Sequence, residues 1–156
     1  MSIRAIRPGF NCVTPYLVVQ GAANAIEFYK RVFGANERMR MPAPDGQIGH
    51  AELEIGGSVI MLSDEGAGGT LTKSPQTVGG TGVCLYVYVK NSDAVFDQAI
   101  AAGSTPVRPV ANQYYGDRSG VFTDPFGHVW HVATYIENVS PEELQKRLAA
   151  MQKQHP

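Results

Sequence analysis

Displaced by 70 residues, the chain matches itself, and no other feature limits its fold as strongly. The offset lays Thr14-Pro15-Tyr16-Leu17-Val18-Val19 on Cys84-Leu85-Tyr86-Val87-Tyr88-Val89, two runs with the alternation of a half-buried strand. It brings Gly46 onto Gly116, Gly57 onto Gly127, and Ser58 to Leu62 onto His128 to Val132. A helix follows the first strand of each half. From Ala22 to Phe33, Ala25, Ile26, Phe28, Tyr29, Val32 and Phe33 recur at helical spacing, and Gly34 is placed to stop the turn. In the second half Ser92 reads as the cap of a helix that turns Val95, Phe96, Ala99 and Ile100 inward and ends at Gly103. Three strands complete each half, near 37–42, 48–55 and 58–63 and near 106–110, 119–124 and 128–134. The expected fold class is α+β, built from two βαβββ repeats.

The domain so drawn spans 1–156, with repeat one at about 11–65, a crossover at 66–82, repeat two at about 83–135 and a C-terminal helix at about 141–154. The crossover has six glycines in seventeen positions but neither GxxxxGK[ST] nor GxGxxG, so it reads as a flexible joint and not a phosphate loop. Ser140-Pro141-Glu142-Glu143 has the form of a capping box with proline at the first helical position. The stripe Leu144, Leu148 and Met151 of that helix is expected to dock on the body or on a second copy.

Several functions are excluded cheaply. With 156 residues, 44% of them hydrophobic and 17% charged, the chain can bury one core, is too apolar for disorder and is too interrupted by charge for a membrane span. Thirteen basic against 14 acidic residues leave a net charge of -1, no field for gathering phosphate backbones or acidic lipid, so neither nucleic acid nor a membrane is expected as a partner. MSIRAIRPGF has no apolar stretch of the secretory kind, and a cytoplasmic protein is expected. Cys12 and Cys84 are too far apart for a CxxC redox pair or a thiolate zinc cage.

Alternation then sorts the faces. Leu17, Val19, Ile60, Leu62, Leu85, Val87, Trp130 and Val132 form the sets expected beneath the helices. The opposite face carries Tyr16, Val18, His50, Glu52, Met61, Cys84, Tyr86, Tyr88 and His131, a mixture of aromatic walls and a few polar groups that suits a small-molecule pocket.

The repeat, the segment Ala25-Ile26-Glu27-Phe28-Tyr29-Lys30-Arg31-Val32-Phe33-Gly34-Ala35 and the segment Phe122-Thr123-Asp124-Pro125-Phe126-Gly127-His128 resemble the vicinal oxygen chelate superfamily. That group includes glyoxalase I, bleomycin-resistance proteins, fosfomycin-resistance proteins and extradiol dioxygenases. The Gly49-His50-Ala51-Glu52-Leu53 core and Gly116-Asp117-Arg118 are most similar to its PhnB-like, glyoxalase-like branch. The resemblance implies a curved mixed-sheet cup, commonly paired as a homodimer. In metal-using members, His, Glu or Gln from four strands hold a divalent ion, and the matching positions are Thr14, Met61, Cys84 and His131. Only His131 is a usual ligand, so no cofactor is expected as obligatory. A divalent transition metal, if held, would take His50, Glu52 and His131. Arg118, beside Tyr114 and Tyr115, is read as an anion clamp at the mouth of the cup. The expected function is binding of a small amphipathic molecule in the manner of bleomycin-resistance proteins, through His50, Glu52, Tyr16, Met61, Cys84, Tyr86, Tyr88, Arg118 and His131. The alternative is a metal-dependent lyase, isomerase or dioxygenase acting on a substrate with adjacent oxygens.

Overall fold

A computed structural model describes residues 4–69 and 72–154. Repeat one runs β1 (Tyr16–Val19), α1 (Ala22–Phe33), β2 (Asn36–Pro42), β3 (Ile48–Ile55) and β4 (Ser58–Asp64). The crossover holds a 3-10 turn at Ala67–Gly69 and one short helix, α2 (Pro75–Val78). Repeat two runs β5 (Cys84–Tyr88), α3 (Ser92–Ala101), β6 (Thr105–Asn112), β7 (Asp117–Thr123) and β8 (Val129–Tyr135), and α4 (Pro141–Gln154) closes the described chain. None of the described helices is long and apolar enough to cross a membrane.

Each repeat makes its own four-stranded sheet, in the orders β1-β4-β3-β2 and β5-β8-β7-β6. In both, the first strand lies parallel to the last while the other pairs are antiparallel. The registers repeat as well: Tyr16 lies opposite Met61, and Tyr86 opposite His131. The start of each helix is tied to the end of its last strand. Asp64 of β4 accepts from the backbone N–H of Gly21 and Ala22, each at 2.8 Å, and at the equivalent position Thr134 of β8 accepts from Ser92 N–H at 2.9 Å. The first helix stops at Gly34, whose φ of 64° is the left-handed conformation that ends helices. The cap of α3 is Asn91 and not Ser92: its side chain accepts from Ala94 N–H at 3.0 Å, one residue earlier than the apolar spacing suggested.

The helices cover one face of both sheets, and the core between them is continuous. Leu17, Val19, Leu53 and Leu62 from sheet one meet Ile26 and Tyr29 of α1, which continue into Phe122, Trp130 and Val132 of sheet two. Phe33 lies on Trp130 with ring centroids 4.6 Å apart. Fully burying side chains of this size contributes roughly 1.5–3 kcal/mol each. At the centre, the buried Asp124 carboxylate accepts from Tyr29 Oη at 2.7 Å and Trp130 Nε1 at 2.9 Å, and from Phe126 and His128 N–H at 2.9 Å. One acidic side chain thus fastens α1 of the first repeat to the β7–β8 turn of the second. Where α3 crosses β7, a Cβ on Gly120 would stand 2.8 Å from Val110 Cγ2 and 2.9 Å from Phe96 Cδ2, so only glycine allows that approach.

The expected α+β fold of two βαβββ repeats is present, each repeat forming its own sheet, with β1 and β5 at the sheet edges and not hydrogen-bonded to each other. Two clefts of about 350 and 410 Å³ flank these strands, the first lined by Val13, Pro15, Ile60, Leu85 and Trp130, the second by Tyr16, Val18, Lys73, Val83 and His128. The stripe of α4 is left partly open within one chain. Leu148 and Met151 are exposed, and the helix is anchored by Arg147, which donates to both carboxylate oxygens of Glu137, to Glu143 and to the Tyr114 carbonyl.

Candidate functional site

The face of each sheet turned away from the helices carries the polar and aromatic groups. On sheet one, register draws a line across the strands through Tyr16, Met61, Glu52 and Met39. Tyr16 Oη lies 3.0 Å from His50 Nδ1, and His50 Nε2 lies 3.4 Å from Glu52 Oε1. Glu52 is only 1% exposed. A buried carboxylate needs a partner, and the segment ahead of β1 supplies one: Arg7 Nη1 donates to Glu52 Oε1 at 2.6 Å. Phe10 lies between the guanidinium groups of Arg7 and Arg38, each 5.0 Å from its ring centre, which holds the segment over the sheet.

On sheet two the matching line runs through Tyr86, His131, Val121 and Arg108. Asp117, at the start of β7, accepts from Tyr86 Oη at 2.6 Å and Tyr88 Oη at 3.0 Å. Burial and the Asp117 carboxylate push the Tyr86 phenol far above its ordinary value, and the Asp117 bond raises Tyr88. Both therefore act as neutral donors. The His131 ring stacks on Tyr86 with centroids 5.3 Å apart. Burial, and then the charge of Arg108, lower its pKa and favour the neutral imidazole. Desolvation pushes the Cys84 thiol up, which argues against a thiolate nucleophile there.

Of the residues singled out from sequence, Tyr16, His50, Glu52 and Met61 share the open face of sheet one, and Cys84, Tyr86, Tyr88 and His131 that of sheet two. Arg118 joins neither. It occupies the opposite phase of β7, where its guanidinium donates to both carboxylate oxygens of Asp93 on α3, at 2.6 and 2.7 Å, and to Asn112 Oδ1 at 3.0 Å. The strand expected near 119–124 begins at Asp117, and strand alternation sends Asp117 to the open face and Arg118 to the helices. The donors suggested for a metal do not gather: His50 and Glu52 lie on sheet one and His131 on sheet two. Among the described residues no three His, Cys, Asp or Glu side chains converge on a common point. The residues of one chain therefore do not fit a divalent ion in that arrangement.

Sequence reasoning missed Arg7, Asp117 and Arg108. Asp117 lies two and four residues before Ser119 and Val121, so extending the alternation backwards would have found it. Arg108 was hidden by irregularities in register on both sides of it, between Pro106 and Arg108 and between Arg108 and Ala111, which break the alternation along β6.

Comparison with known proteins adds the following. The model of the Glyoxalase/Bleomycin resistance protein/Dioxygenase superfamily matches residues 9–132. An uncharacterized protein of Mycobacterium tuberculosis is 42% identical over 140 residues, covering 88% of this chain and 82% of its own length. The structure of TioX from a Micromonospora species is 28% identical and superposes with a TM-score of 0.61, covering 81% of this chain and 99% of that one. A PhnB protein from Bacillus cereus, 21% identical with a TM-score of 0.62, covers 80% of this chain and 99% of that one and shares the fold.

Proposed function

Because the chain belongs to the Glyoxalase/Bleomycin resistance protein/Dioxygenase superfamily, we propose that it is a cytoplasmic small-molecule binding protein that holds an amphipathic ligand on the open faces of its sheets without an obligatory metal. The observation that carries this reading is the array on sheet two, where Tyr86 and Tyr88 donate to the buried Asp117 and His131 stacks on Tyr86. Phenols bonded in this way are fixed in orientation. They present rigid aromatic surface beside a few polar groups, the make-up of a pocket that recognises shape and apolar area. Raised phenol pKa values and a lowered histidine pKa describe groups that stay uncharged at neutral pH, which favours contact over charge-driven catalysis.

The reading includes a homodimer. Each open face is bounded by its own sheet alone, and the exposed Leu148 and Met151 of α4 offer apolar surface to a second copy. Light scattering on a size-exclusion column at micromolar concentration should give twice the mass of 16.8 kDa.

The test is a thermal-shift screen of small amphipathic aromatic molecules against protein treated with chelator, with metal content measured in parallel on wild type and His131→Ala. Ligands that raise the melting temperature of the metal-free protein, and do so less in Tyr86→Ala, are the expected result. Binding that appears only with one transition ion per chain, that ion being absent from His131→Ala, would overturn the reading in favour of metal-dependent chemistry.

A further inference from the structure

We infer that Arg108 and His131 form an oxyanion subsite on the open face of sheet two, and that the ligand is an aromatic molecule bearing a carboxylate or a comparable anionic group. The inference rests on the small-molecule reading above and supplies the charge of that ligand.

Arg108 is the observation that calls for an explanation. The side chain is half-buried; its Nε is enclosed and has no hydrogen-bond partner, and among the described residues the only bond its guanidinium makes is from Nη2 to Ser119 Oγ at 3.3 Å, at the long end of the range. Desolvating a cation without an anion beside it is costly, which is why buried guanidinium groups are nearly always paired. Even more open arginines are paired: Arg118 with Asp93, Arg147 with Glu137, and Arg7 with the buried Glu52. Arg108 takes part in none of the ion pairs found among the described residues. Asp117, on the same face, already accepts from both tyrosines.

His131 is short of a partner in the same place. Its Nδ1 is buried without a hydrogen bond, and its ring lies on the register line that runs from Tyr86 through Val121 to Arg108. That a guanidinium and an imidazole leave unfilled bonding capacity on one face, on either side of Val121, points to a group that arrives from outside with acceptor oxygens. An oxyanion satisfies both: the guanidinium fork matches two oxygens, and an imidazole N–H can donate to one of them. The Tyr86 ring then offers its surface to the aromatic part of the ligand. In repeat one the equivalent line holds Met61 and Met39 where His131 and Arg108 stand, so this chemistry belongs to the second repeat alone.

Benzoate, phenylphosphonate and the neutral benzyl alcohol are the probes. Each is titrated into the full-length protein while backbone amide shifts are followed by NMR, for wild type, Arg108→Met and Arg31→Met, the last an exposed control on α1. Wild type and the control should bind an anionic probe about tenfold or more tightly than benzyl alcohol, with shifts on β6 and β8, because a hydrogen bond to a charged group carries that much discrimination. In Arg108→Met the preference should fall to near one, while its melting temperature stays at or above that of wild type, since a half-buried cation that joins no ion pair has been replaced by an apolar side chain. A wild-type protein that does not prefer either anion over the alcohol, or an Arg108→Met protein that keeps the preference, overturns the subsite while leaving the small-molecule reading standing. Failure of all three probes to bind counts against the small-molecule reading itself, and the subsite falls with it.

Discussion

Removing one oxygen atom, that of Tyr29, tests how the two repeats are held together. Tyr29 is fully buried, and its hydroxyl donates to Asp124 at 2.7 Å across 95 positions of sequence. In Tyr29→Phe the ring keeps its packing against Phe33, Phe126 and Trp130, so no cavity of consequence opens and the loss is confined to the hydrogen bond. Asp124 retains Trp130 Nε1 and the N–H groups of Phe126 and His128. A hydrogen bond to a charged acceptor contributes about 1.5–3 kcal/mol, and about 2 kcal/mol is expected here because three donors remain. For a chain of this length that corresponds to a fall in melting temperature of about 4–8 °C. The assay is equilibrium unfolding in urea followed by fluorescence of the single tryptophan, Trp130, which itself bonds Asp124. The midpoint should fall with the slope unchanged. A cycle with Asp124→Asn should return a coupling of about 1–2 kcal/mol between the two sites. Stability within about 0.5 kcal/mol of wild type in Tyr29→Phe would refute the claim that this bond fastens the repeats, since changes of that size are ordinary for surface positions.

Three further outcomes follow from the geometry. Gly120→Ala should lower stability by about 1–3 kcal/mol in the same unfolding assay, because the new methyl must displace Val110 and Phe96. Gly116→Ala should cost more, since Gly116 holds a φ of 102° and its Cβ would run into the Glu137 carbonyl. Glu65 accepts from Ser74 N–H and Oγ and from Thr77 Oγ1, and these donors lower its pKa to about 2. A carboxylate depressed on folding stabilises the native state above its ordinary pKa and loses that contribution as the pH falls through its folded value. Amide protection of Thr77, Val78 and Gly79 should therefore weaken between about pH 4.5 and pH 2 in wild type, and Glu65→Gln should be weakly protected already at neutral pH with no transition in that window. A wild-type profile that stays flat over the same window would show that α2 does not depend on this carboxylate.

Much of the architecture was legible because it rests on short-range rules that sequence displays directly. The offset of 70 residues, the alternation in Tyr16–Val19 and Cys84–Tyr88 and the helical spacing from Ala22 to Phe33 locate strands and helices to within a residue or two. Faces followed from the same alternation wherever a strand was regular. That is why Tyr86, Tyr88 and His131 appeared on one side of sheet two before any coordinates did. Reading failed where regularity failed. The bulged strand around Arg108 concealed the residue with the clearest unmet demand for a partner, and β7 begins two residues earlier than expected, which puts Asp117 on the open face and Arg118 toward the helices.

By itself, then, the sequence determined the repeat, the element order, the α+β class and the buried faces, since the repeat is written in a self-match at 70 residues and the rest in spacings shorter than a dozen. Only the tertiary structure decided that the two sheets stay separate, that His50 and Glu52 stand apart from His131, that Arg7 covers Glu52, and that Asp124 binds Tyr29 from 95 positions away. The physical reason is common to all four. Burial makes an unpaired polar group expensive, and which partner relieves it depends on what folding brings within three ångströms, a distance in space that periodicity along the chain does not encode.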